Sequence, residues 1–424
     1  MRKLRPNMIV AILGATASGK TKLSLSLGEK FGGEIISADS MQIYRGLDLA
    51  TAKATEEERN SVPHHMIDFL DPTEESFTVQ DFKRQSLEVM QRLRRENKMG
   101  IIVGGTNYYI ESLIWDFTMH SSHDIQAYKK NDVESETTPE LYARLCSLDS
   151  ETAMKLHPNN RRKILTALHY LKSSGNPLSK EITKQHSTVS SVQDGDRVRG
   201  CLRFSNCIGL MIDCSPDVLE KRIRTRVDKM ISEGLLEELE DFNSNYYEQR
   251  VDKGFETGIF QVLGFKEFEN YFSLSKCDRD TKEGRKIYNQ AVELLKQRSV
   301  RYSKSQLKWI SKRILQDGDP ETRLKVYRLD SSDLNAWNEN VNEPAIEIVQ
   351  SHLNGTICKY EPIQRLLKRN LDPHRRFVCD ICSGKVLIGE ICYKEHIKGK
   401  QHIANLKKRQ IKKPEDDSEL VILN

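Results

Sequence analysis

The sequence lacks the features of a membrane or secreted protein. No apolar run approaches the roughly 18 residues that a membrane-spanning helix requires. The opening stretch MRKLRPNM is basic, but no apolar segment of the length of a secretory signal follows it. We therefore expect a globular protein that does not act in a membrane. Its first residues either lie outside the fold or are the remainder of a short mitochondrial address.

The chain also lacks the paired cysteines of a disulfide-stabilised domain and shows no internal repeat. Its nine cysteines are scattered through 424 residues. Disulfides are not expected, because the chain has the character of an intracellular protein. The length exceeds that of one ordinary core, so we expect two or three domains.

The net charge is small but unevenly distributed. The whole chain carries +5, whereas residues 359–413 contain fifteen Lys or Arg and five Asp or Glu. The C-terminal part is therefore basic and the rest of the chain is mildly acidic. Such a module favours contact with nucleic acid or another acidic surface.

A glycine-rich loop follows the first apolar run. Residues 14–21 read GATASGKT, directly after MIVAIL. The pattern is G-x-x-x-x-G-K-[ST], in which backbone N–H groups and a lysine bind phosphate, and a Ser or Thr hydroxyl suits Mg²⁺. A strand before the loop and a helix through KLSLSLGEKF after it are the expected context. The loop predicts phosphate binding but does not identify the molecule that carries the phosphate.

Polar groups end two further predicted strands, EIISADS and GIIVGGTNYYI, of the same parallel sheet. Ligands bind at the carboxyl ends of such strands. Asp39 suits a Mg²⁺ ligand or a general base there, although it would also cap a turn. Ser40 and Gln42 could fix the edge of a ring, and Thr106 could donate a hydrogen bond.

The middle of the chain reads as largely helical. HPNNRRKILTALHYLKSSG predicts a helix that Gly175 ends, within a polar insertion. IGLMIDCSP reads as a strand, and PDVLEKRIRTRVDKMISEGLLEELEDF has the apolar period of one long helix. Arg222 and Arg226 share a second face of that helix, where they either clamp a phosphate or face solvent. A further helix runs over about 285–312.

Four residues near the C-terminus have the spacing of zinc ligands. Cys379, Cys382, His396 and His402 form C-x2-C-x13-H-x5-H. This spacing suits a tetrahedral Zn²⁺ site, with Cys392 outside the ligand set. The flanking basic residues suit phosphate contacts, although a finger of this kind can also dock a protein.

These residues leave three functions open. The first is a P-loop kinase that acts on a small molecule or nucleotide, with Asp39 as base or metal ligand. The second is an enzyme that acts on nucleic acid held by the finger and the basic tail. The third is a non-catalytic zinc-finger protein with a relict nucleotide site. The finger favours the second over the first, and the intact Lys20, Thr21 and Asp39 disfavour the third.

The order of the motifs resembles that of the tRNA dimethylallyltransferase family, also called tRNA isopentenyltransferases. The matching stretches are GATASGKT, DSMQIY at 39–44, PHHMID at 63–68, VGGTNYYI at 103–110, QVLGFKEF at 261–268 and RYSKSQLKWI at 301–310. The likeness spans residues 8–312, roughly three quarters of the chain. The finger resembles that of the eukaryotic branch.

The resemblance implies transfer of a dimethylallyl group from dimethylallyl diphosphate to the exocyclic amine of adenosine 37 of tRNA. Asp39 would take the amine proton, Thr106 would position the reacting groups, and Arg226 would contact the diphosphate. For Arg222 we retain the interpretation of a solvent-facing residue. The implied diphosphate-binding residues are Gly14, Ala15, Thr16, Ala17, Ser18, Gly19, Lys20 and Thr21, with Mg²⁺ on Thr21.

The resemblance further implies that the adenosine is flipped into a pocket and that the insertion grips the anticodon stem-loop. The implied tRNA-binding residues are Asp39, Ser40, Met41, Gln42, Arg162, Lys163, Ile164, Leu165 and Thr166. The sequence departs from the family at Leu165, where a basic residue is common, and at 303–306, where AKRQ reads SKSQ. We expect a monomer in the cytoplasm, and also in mitochondria and the nucleus, with Met8 as an alternative start.

We predict an α/β fold with a P-loop parallel-sheet core, a helical insertion and a small zinc finger. The core comprises residues 8–117 and 201–312, and the insertion comprises 118–200. A mixed connecting region follows at 313–374, and the finger with its basic tail occupies 375–413. The predicted cofactors are Mg²⁺ and a structural Zn²⁺.

Overall fold

The structure is a computed structural model of the 424-residue chain. The residues it describes are 8–74, 77–116, 136–180, 193–194, 197–198, 202–246, 258–315, 323–364 and 375–411. The chain divides into two compact units, of which the first comprises 1–119 and 199–366 and the second 120–198 and 367–424. The insertion and the finger therefore belong to one unit. Parts of both predicted segments, including 118–135 and 412–413, lie outside the described residues.

A parallel sheet forms the centre of the first unit. Elements are numbered here in chain order. Its strands are β1 (Ile9–Gly14), β2 (Glu34–Ser37), β3 (His64–His65), β4 (Gly100–Val103), β7 (Cys207–Asp213) and β8 (Lys325–Asp330). They lie in the order β3-β2-β4-β1-β7-β8, and every neighbouring pair is parallel. The predicted parallel α/β core is confirmed.

Helices cover both faces of this sheet. The helices of the unit are α1 (Lys20–Phe31), α2 (Asp48–Thr51), α3 (Glu56–Ser61), α4 (Val79–Arg95), α5 (Asn107–Ile114), α9 (Pro216–Ser232), α10 (Leu235–Asn245), α11 (Phe265–Phe272), α12 (Lys276–Arg279), α13 (Lys282–Trp309) and α14 (Glu343–Asn354). Shorter turns add a 3₁₀ helix at Gly258–Gln261 and π-helical turns at Ile310–Ile314 and Asn338–Asn342.

The sequence of β1 explains why two helical layers form. Its side chains alternate between faces, because successive residues of a strand point in opposite directions. Ala11 and Leu13 join a core with α4 and α5, whereas Val10 and Ile12 join a second core with α1 and α14. A strand buried on both faces is a continuous apolar run, as MIVAIL is.

Two predicted elements are corrected by the structure. The third predicted strand ends at Val103, and NYYI begins helix α5 instead, so the turn at Gly104 and Gly105 separates strand from helix. The predicted long helix is broken into α9 and α10. The break falls at Gly234, whose φ of 103° suits glycine and lies outside the helical region.

The sheet extends beyond residue 312, where we predicted the end of the core. Strand β8 lies in the connecting region, and its residues pair in parallel with β7 from Ile208–Lys325 to Asp213–Asp330. Helix α14 then packs on the sheet through Ala345 and Ile348. A chain segment with no recognisable motif therefore completes the sheet.

The described part of the second unit consists of short helices, short strands and the finger. Its helices are α6 (Thr138–Leu148), α7 (Ser150–Lys155), α8 (Arg161–Ser174), α15 (Glu390–Ile397) and α16 (Lys400–Ile411), and its strands are β5 (Gln193–Asp194), β6 (Arg197–Val198), β9 (Arg376–Cys379) and β10 (Lys385–Ile388). Gly175 caps α8, as predicted. Leu141, Leu145 and Leu168 contribute to its apolar core.

Across the described ranges, no helix is both long enough and apolar enough to cross a membrane.

Candidate active site and candidate metal centre

The glycine-rich loop connects β1 to α1 and lines a cavity of about 410 Å³ in the first unit. Residues 16–21 contribute to its wall. Gly19 precedes α1 with a φ of 101°, and Ala17 has a φ of 61°, so the loop backbone is wound into a tight turn. The Ser18 hydroxyl is buried and has no hydrogen-bond partner. An orphaned hydroxyl beside a helix N-terminus fits a phosphate or metal-bound oxygen.

Asp39 follows β2 and faces the same cavity. Its Oδ1 accepts a hydrogen bond from the Met41 N–H at 3.0 Å, and its Oδ2 accepts one from the Gly105 N–H at 3.1 Å. A Cβ at position 105 would lie 2.6 Å from Oδ2, so only glycine allows this approach. The carboxylate is thus oriented by two strand ends, β2 and β4.

Burial shifts the pKa values of three ionisable side chains in this cavity in the direction that favours their neutral forms. Burial raises the pKa of Asp39, although the hydrogen bonds from Met41 and Gly105 and the charge of Lys20 oppose the shift. Burial and the charge of Arg226 lower the pKa of Lys20 to about 8. Burial also lowers the pKa of Arg226, against the effect of Asp39. A doubly negative ligand would relieve the repulsion between the two cations.

Thr106 holds the turn that carries Asp39. Its Oγ1 accepts a hydrogen bond from the Ser40 N–H at 2.9 Å and donates one to the Ser40 Oγ at 3.0 Å. Thr106 therefore supports the turn after β2, and it is not among the residues that line the cavity, so its predicted contact with a ligand stays a prediction.

Gln42 lines the cavity, but its amide is engaged within the protein. Its Oε1 accepts a hydrogen bond from the Ser37 hydroxyl at 2.9 Å. Its Nε2 donates to the carbonyl oxygens of Thr51 and Ala52 at 3.1 and 3.2 Å. The side chain therefore shapes the wall of the cavity, and its amide bonds the backbone around it.

Sequence reasoning missed several cavity residues. Gln306 joins two motifs, because its Oε1 accepts a bond from the Thr16 N–H and its Nε2 donates to the Gly105 carbonyl, both at 2.9 Å. Tyr302 donates to the same carbonyl at 3.0 Å, and burial strongly raises its pKa. Both residues belong to the RYSKSQLKWI stretch at 301–310, for which the sequence alone predicts no role in the site.

Arg222 lines the cavity together with Arg226. Its guanidinium donates to the Ser332 carbonyl at 3.2 Å and approaches the Ser331 hydroxyl at 3.4 Å. The solvent-facing interpretation of Arg222 is therefore wrong. The four-residue spacing on one helix face was the available indication.

The predicted tRNA-binding residues of the insertion lie on α8. Arg162 and Lys163 are exposed, and the Lys163 N–H is capped by the Asn160 side chain at 3.2 Å. Ile164 is fully buried in the core of this unit, and Leu165 packs against that core. The side chain of Ile164 is therefore not available for an RNA contact. Thr166 donates to the Arg162 carbonyl at 2.8 Å.

The four predicted zinc ligands converge in the second unit. The ligand atoms of Cys379, Cys382, His396 and His402 all lie within 4.8 Å of one another. The Nδ1 atom of His402 lies 3.4 Å from the Cys379 Sγ, 3.6 Å from the Cys382 Sγ and 3.2 Å from the His396 Nε2. These three separations are close to the edges of a Zn²⁺ tetrahedron, about 3.3–3.8 Å for bonds of about 2.0–2.3 Å, whereas the four ligand atoms as a set lie up to 4.8 Å apart. The cluster can hold a metal ion.

Comparison with known proteins places this geometry in a family. The IPP transferase family model matches residues 42–313, more than half of the chain. A human tRNA dimethylallyltransferase is 38% identical over 411 residues, which cover 95% of this chain and 86% of the human protein. The Saccharomyces cerevisiae tRNA dimethylallyltransferase is 30% identical over 418 residues, 94% of this chain and 92% of the yeast protein.

A solved structure extends the likeness to the fold. It shows a eukaryotic dimethylallyltransferase acting on tRNA, and it matches with a TM-score of 0.78 at 27% identity over 96% of this chain and 98% of that chain. The chain therefore belongs to the IPP transferase family, and it is a prenyltransferase. The family predicted from the motifs is confirmed, and the transfer reaction is favoured over the kinase alternative.

Proposed function

We propose that this chain transfers a dimethylallyl group from dimethylallyl diphosphate to the exocyclic amine of adenosine 37 of tRNA, giving isopentenyladenosine and diphosphate. The observation that carries the proposal is the shared cavity of Asp39 and the glycine-rich loop. A loop that suits phosphate and an oriented carboxylate meet there, in a chain of this family. Such an arrangement suits a reaction with an anionic leaving group and a protonated nucleophile.

The phosphate side of the cavity stabilises the leaving group. The bond between the allylic carbon and the diphosphate oxygen breaks as the carbon–nitrogen bond forms, so negative charge develops on the diphosphate. Lys20 and Arg226 line the cavity, so their positive charge would be present before the reaction begins, and such preorganised charge is effective. Arg222 adds a further cation to the same wall.

The opposite side removes a proton. An exocyclic adenine amine is a poor nucleophile, so its proton must leave as the new bond forms. Asp39 accepts that proton, since its carboxylate is held by the Met41 and Gly105 N–H groups and its raised pKa makes it a stronger base than an exposed Asp. Thr106 contributes by holding the turn.

Two metals belong to the proposal. Thr21 and the orphaned Ser18 hydroxyl fit a hydrated Mg²⁺ beside the diphosphate, and the ion would neutralise charge on the leaving group. Zn²⁺ would be held by Cys379, Cys382, His396 and His402, and it would stabilise the fold of the finger.

We propose the RNA contacts from the exposure and the charge of the side chains. The adenosine is flipped out of its stack, and residues 39–42 surround it. Arg162 and Lys163 are exposed at the start of α8 and suit the phosphates of the anticodon stem-loop. Leu165 and Thr166 complete this proposed surface. Basic residues of α16, including Lys407 and Lys408, suit further phosphate contacts.

We further propose that the chain acts as a monomer in the cytoplasm, with additional pools in mitochondria and the nucleus. Met8 is the proposed alternative start. It is buried against β1 in the structure, at 1% exposure. Fractionation of a tagged chain with Met8 replaced tests the idea, and unchanged compartments would contradict it.

The function is tested by incubating the purified chain and Mg²⁺ with labelled dimethylallyl diphosphate and unmodified tRNA that carries adenosines beside the anticodon. Mass spectrometry of nuclease fragments should locate isopentenyladenosine at position 37, and a diphosphate assay should find one diphosphate released per transfer. Omitting ATP should make no difference. A lack of transfer, with ATP consumed to phosphorylate a small molecule, would instead support the kinase.

A further inference from the structure

One wall of the cavity comes from a segment that no motif predicted. Leu334 and Trp337 lie between β8 and α14, outside the span that matches the family model, and both line the cavity. Trp337 directly precedes the π-helical turn Asn338–Asn342. π-Helical turns are rare in proteins, but those that do occur often lie at functional sites. This position favours a role of the segment in the site.

Trp337 packs directly on the glycine-rich loop. Its side chain is buried, with 5% exposure, in the same core as Leu23 and Leu27 of α1. A Cβ on Gly19 would lie only 2.5 Å from the indole ring, so the ring is in contact with the Gly19 backbone. The Lys22 Nζ lies over the indole, 4.8 Å from the ring centroid. The indole thus contacts Gly19, directly before Lys20, and faces the ammonium of Lys22, two residues after it.

The same segment makes two other contacts around the loop. The Ser26 hydroxyl donates to the Asn342 Oδ1 at 2.6 Å, which ties the middle of α1 to the π-helical turn. The Arg222 guanidinium donates to the Ser332 carbonyl at 3.2 Å. Residues 332–342 therefore contact both the helix that carries the loop and one cation of the cavity.

We propose that Trp337 is a positioning residue of the donor site, which holds the Gly19–Lys20 backbone so that its N–H groups remain directed at the diphosphate. The inference rests on the proposed function. The left-handed conformation of Gly19 is one of several that glycine can adopt, and the indole restricts it. Without the ring, the loop must be ordered when the diphosphate binds, and affinity is lost.

The test measures binding of inorganic diphosphate with Mg²⁺ by calorimetry, together with steady-state kinetics. Trp337→Ala should weaken diphosphate binding and raise the KM for the donor by on the order of tenfold. The KM for tRNA should stay within about twofold of the wild-type value. Trp337→Phe, which keeps a ring on Gly19, should restore most of the affinity.

Ser26→Ala is the matched control, because it breaks another contact between α1 and the same segment while its side chain does not line the cavity. It should bind diphosphate like the wild-type chain. Equal affinity of Trp337→Ala and wild type would overturn the inference, and so would an equal loss in Ser26→Ala. If the alanine variant unfolds, Trp337→Leu replaces it, with the same expectation of weaker binding than Trp337→Phe.

The two proposals fail separately in this design. A wild-type chain that transfers the dimethylallyl group, with a Trp337→Ala variant that binds diphosphate normally, contradicts only the role of Trp337. A wild-type chain that binds diphosphate but transfers nothing contradicts the proposed function. In that case the comparison of Trp337→Ala with Ser26→Ala still decides whether the indole positions the loop.

Discussion

The two candidate sites are built in opposite ways. The cluster of the second unit takes its four ligands from Cys379 to His402, a short stretch in which each spacing is visible in the sequence. The cavity of the first unit takes its wall from residues between Thr16 and Trp337. A local site can be read from one motif, whereas the wall of a distributed site depends on how the chain folds.

The sites also differ in what their charges do. In the cluster, the ligands approach one another closely and a cation would hold them together. In the cavity, the partly buried Lys20 and Arg226 lie near each other, and the pKa values of both are lowered. The cavity therefore carries an electrostatic cost that an anionic ligand removes. Its design serves ligand binding at the expense of stability.

The largest expected effect comes from Asp39→Asn, which keeps the shape of the side chain and removes the base. We expect kcat to fall by about 10²–10⁴-fold, the usual contribution of a general base. The KM for the donor should change little, because the loop is intact. Transfer kinetics on tRNA check this, with Asp241→Asn, an exposed residue of α10, as the control.

A loss of less than about tenfold in Asp39→Asn would show that another group takes the proton. The wild-type pH profile provides a second check. Because the pKa of Asp39 is raised, activity should increase with pH over a range above that of an ordinary Asp.

The second effect concerns Lys20 and separates stability from activity. Lys20→Met should lower kcat/KM for the donor on the order of a hundredfold, since a cation beside the leaving group is lost. It should unfold at the same or a higher temperature near pH 7, because the folded chain no longer buries that charge. Calorimetric unfolding and transfer kinetics check the two parts, and a markedly lower Tm would contradict the account.

The pH dependence of wild-type kcat/KM for the donor follows from the same lysine. Lys20 is charged below its pKa of about 8 and neutral above it, so this parameter should fall as the pH rises through about 8. The stability cost of the buried charge is present below that pH. Between pH 8 and the ordinary lysine pKa of 10.5, this stability cost decreases as the pH rises. The reason is that over this range the folded chain has released the proton whereas the unfolded chain still binds it.

The third expected effect is a loss of tRNA affinity that follows from a change in the second unit. Cys382→Ser, or removal of metal by a chelator, should raise the KM for tRNA by about tenfold or more, because loss of a structural metal unfolds a small finger. Binding of diphosphate with Mg²⁺ to the variant should be unchanged. Cys392→Ser is the matched control, since this exposed thiol lies outside the cluster. Equal tRNA kinetics in both variants would contradict a role of the finger in RNA binding.

The smallest effect comes from Gln306→Ala, which removes the link between the loop and Gly105. The Thr16 N–H would lose its acceptor, at a cost of about 1 kcal/mol, so the KM for the donor should rise by about fivefold. Gln297→Ala, on the same helix and outside the cavity, should match the wild type. Donor titrations in the transfer assay check both variants.

The sequence predicted residues of the candidate centre but not the residues around them. GATASGKT, Asp39 and Thr106 were identified because each ends a strand, and parallel strands bring their ends together. Tyr302, Gln306 and Trp337 were missed, because helix α13 and the segment after β8 bring them to the cavity from distant positions in the sequence, 197 residues from Gly105 for Tyr302 and 290 residues from Thr16 for Gln306. Ile164 was misjudged because a tRNA-binding motif does not show which face of a helix is buried.

The most direct test of the central claim is a crystal structure of the chain with Mg²⁺, an anticodon stem-loop RNA and a donor analogue whose bridging oxygen is replaced by sulfur. The account predicts the diphosphate within about 3 Å of the loop N–H groups, the allylic carbon pointing into the cavity, and the adenosine amine beside the Asp39 carboxylate. An analogue bound outside this cavity, or an amine that no Asp39 oxygen can reach, would contradict it.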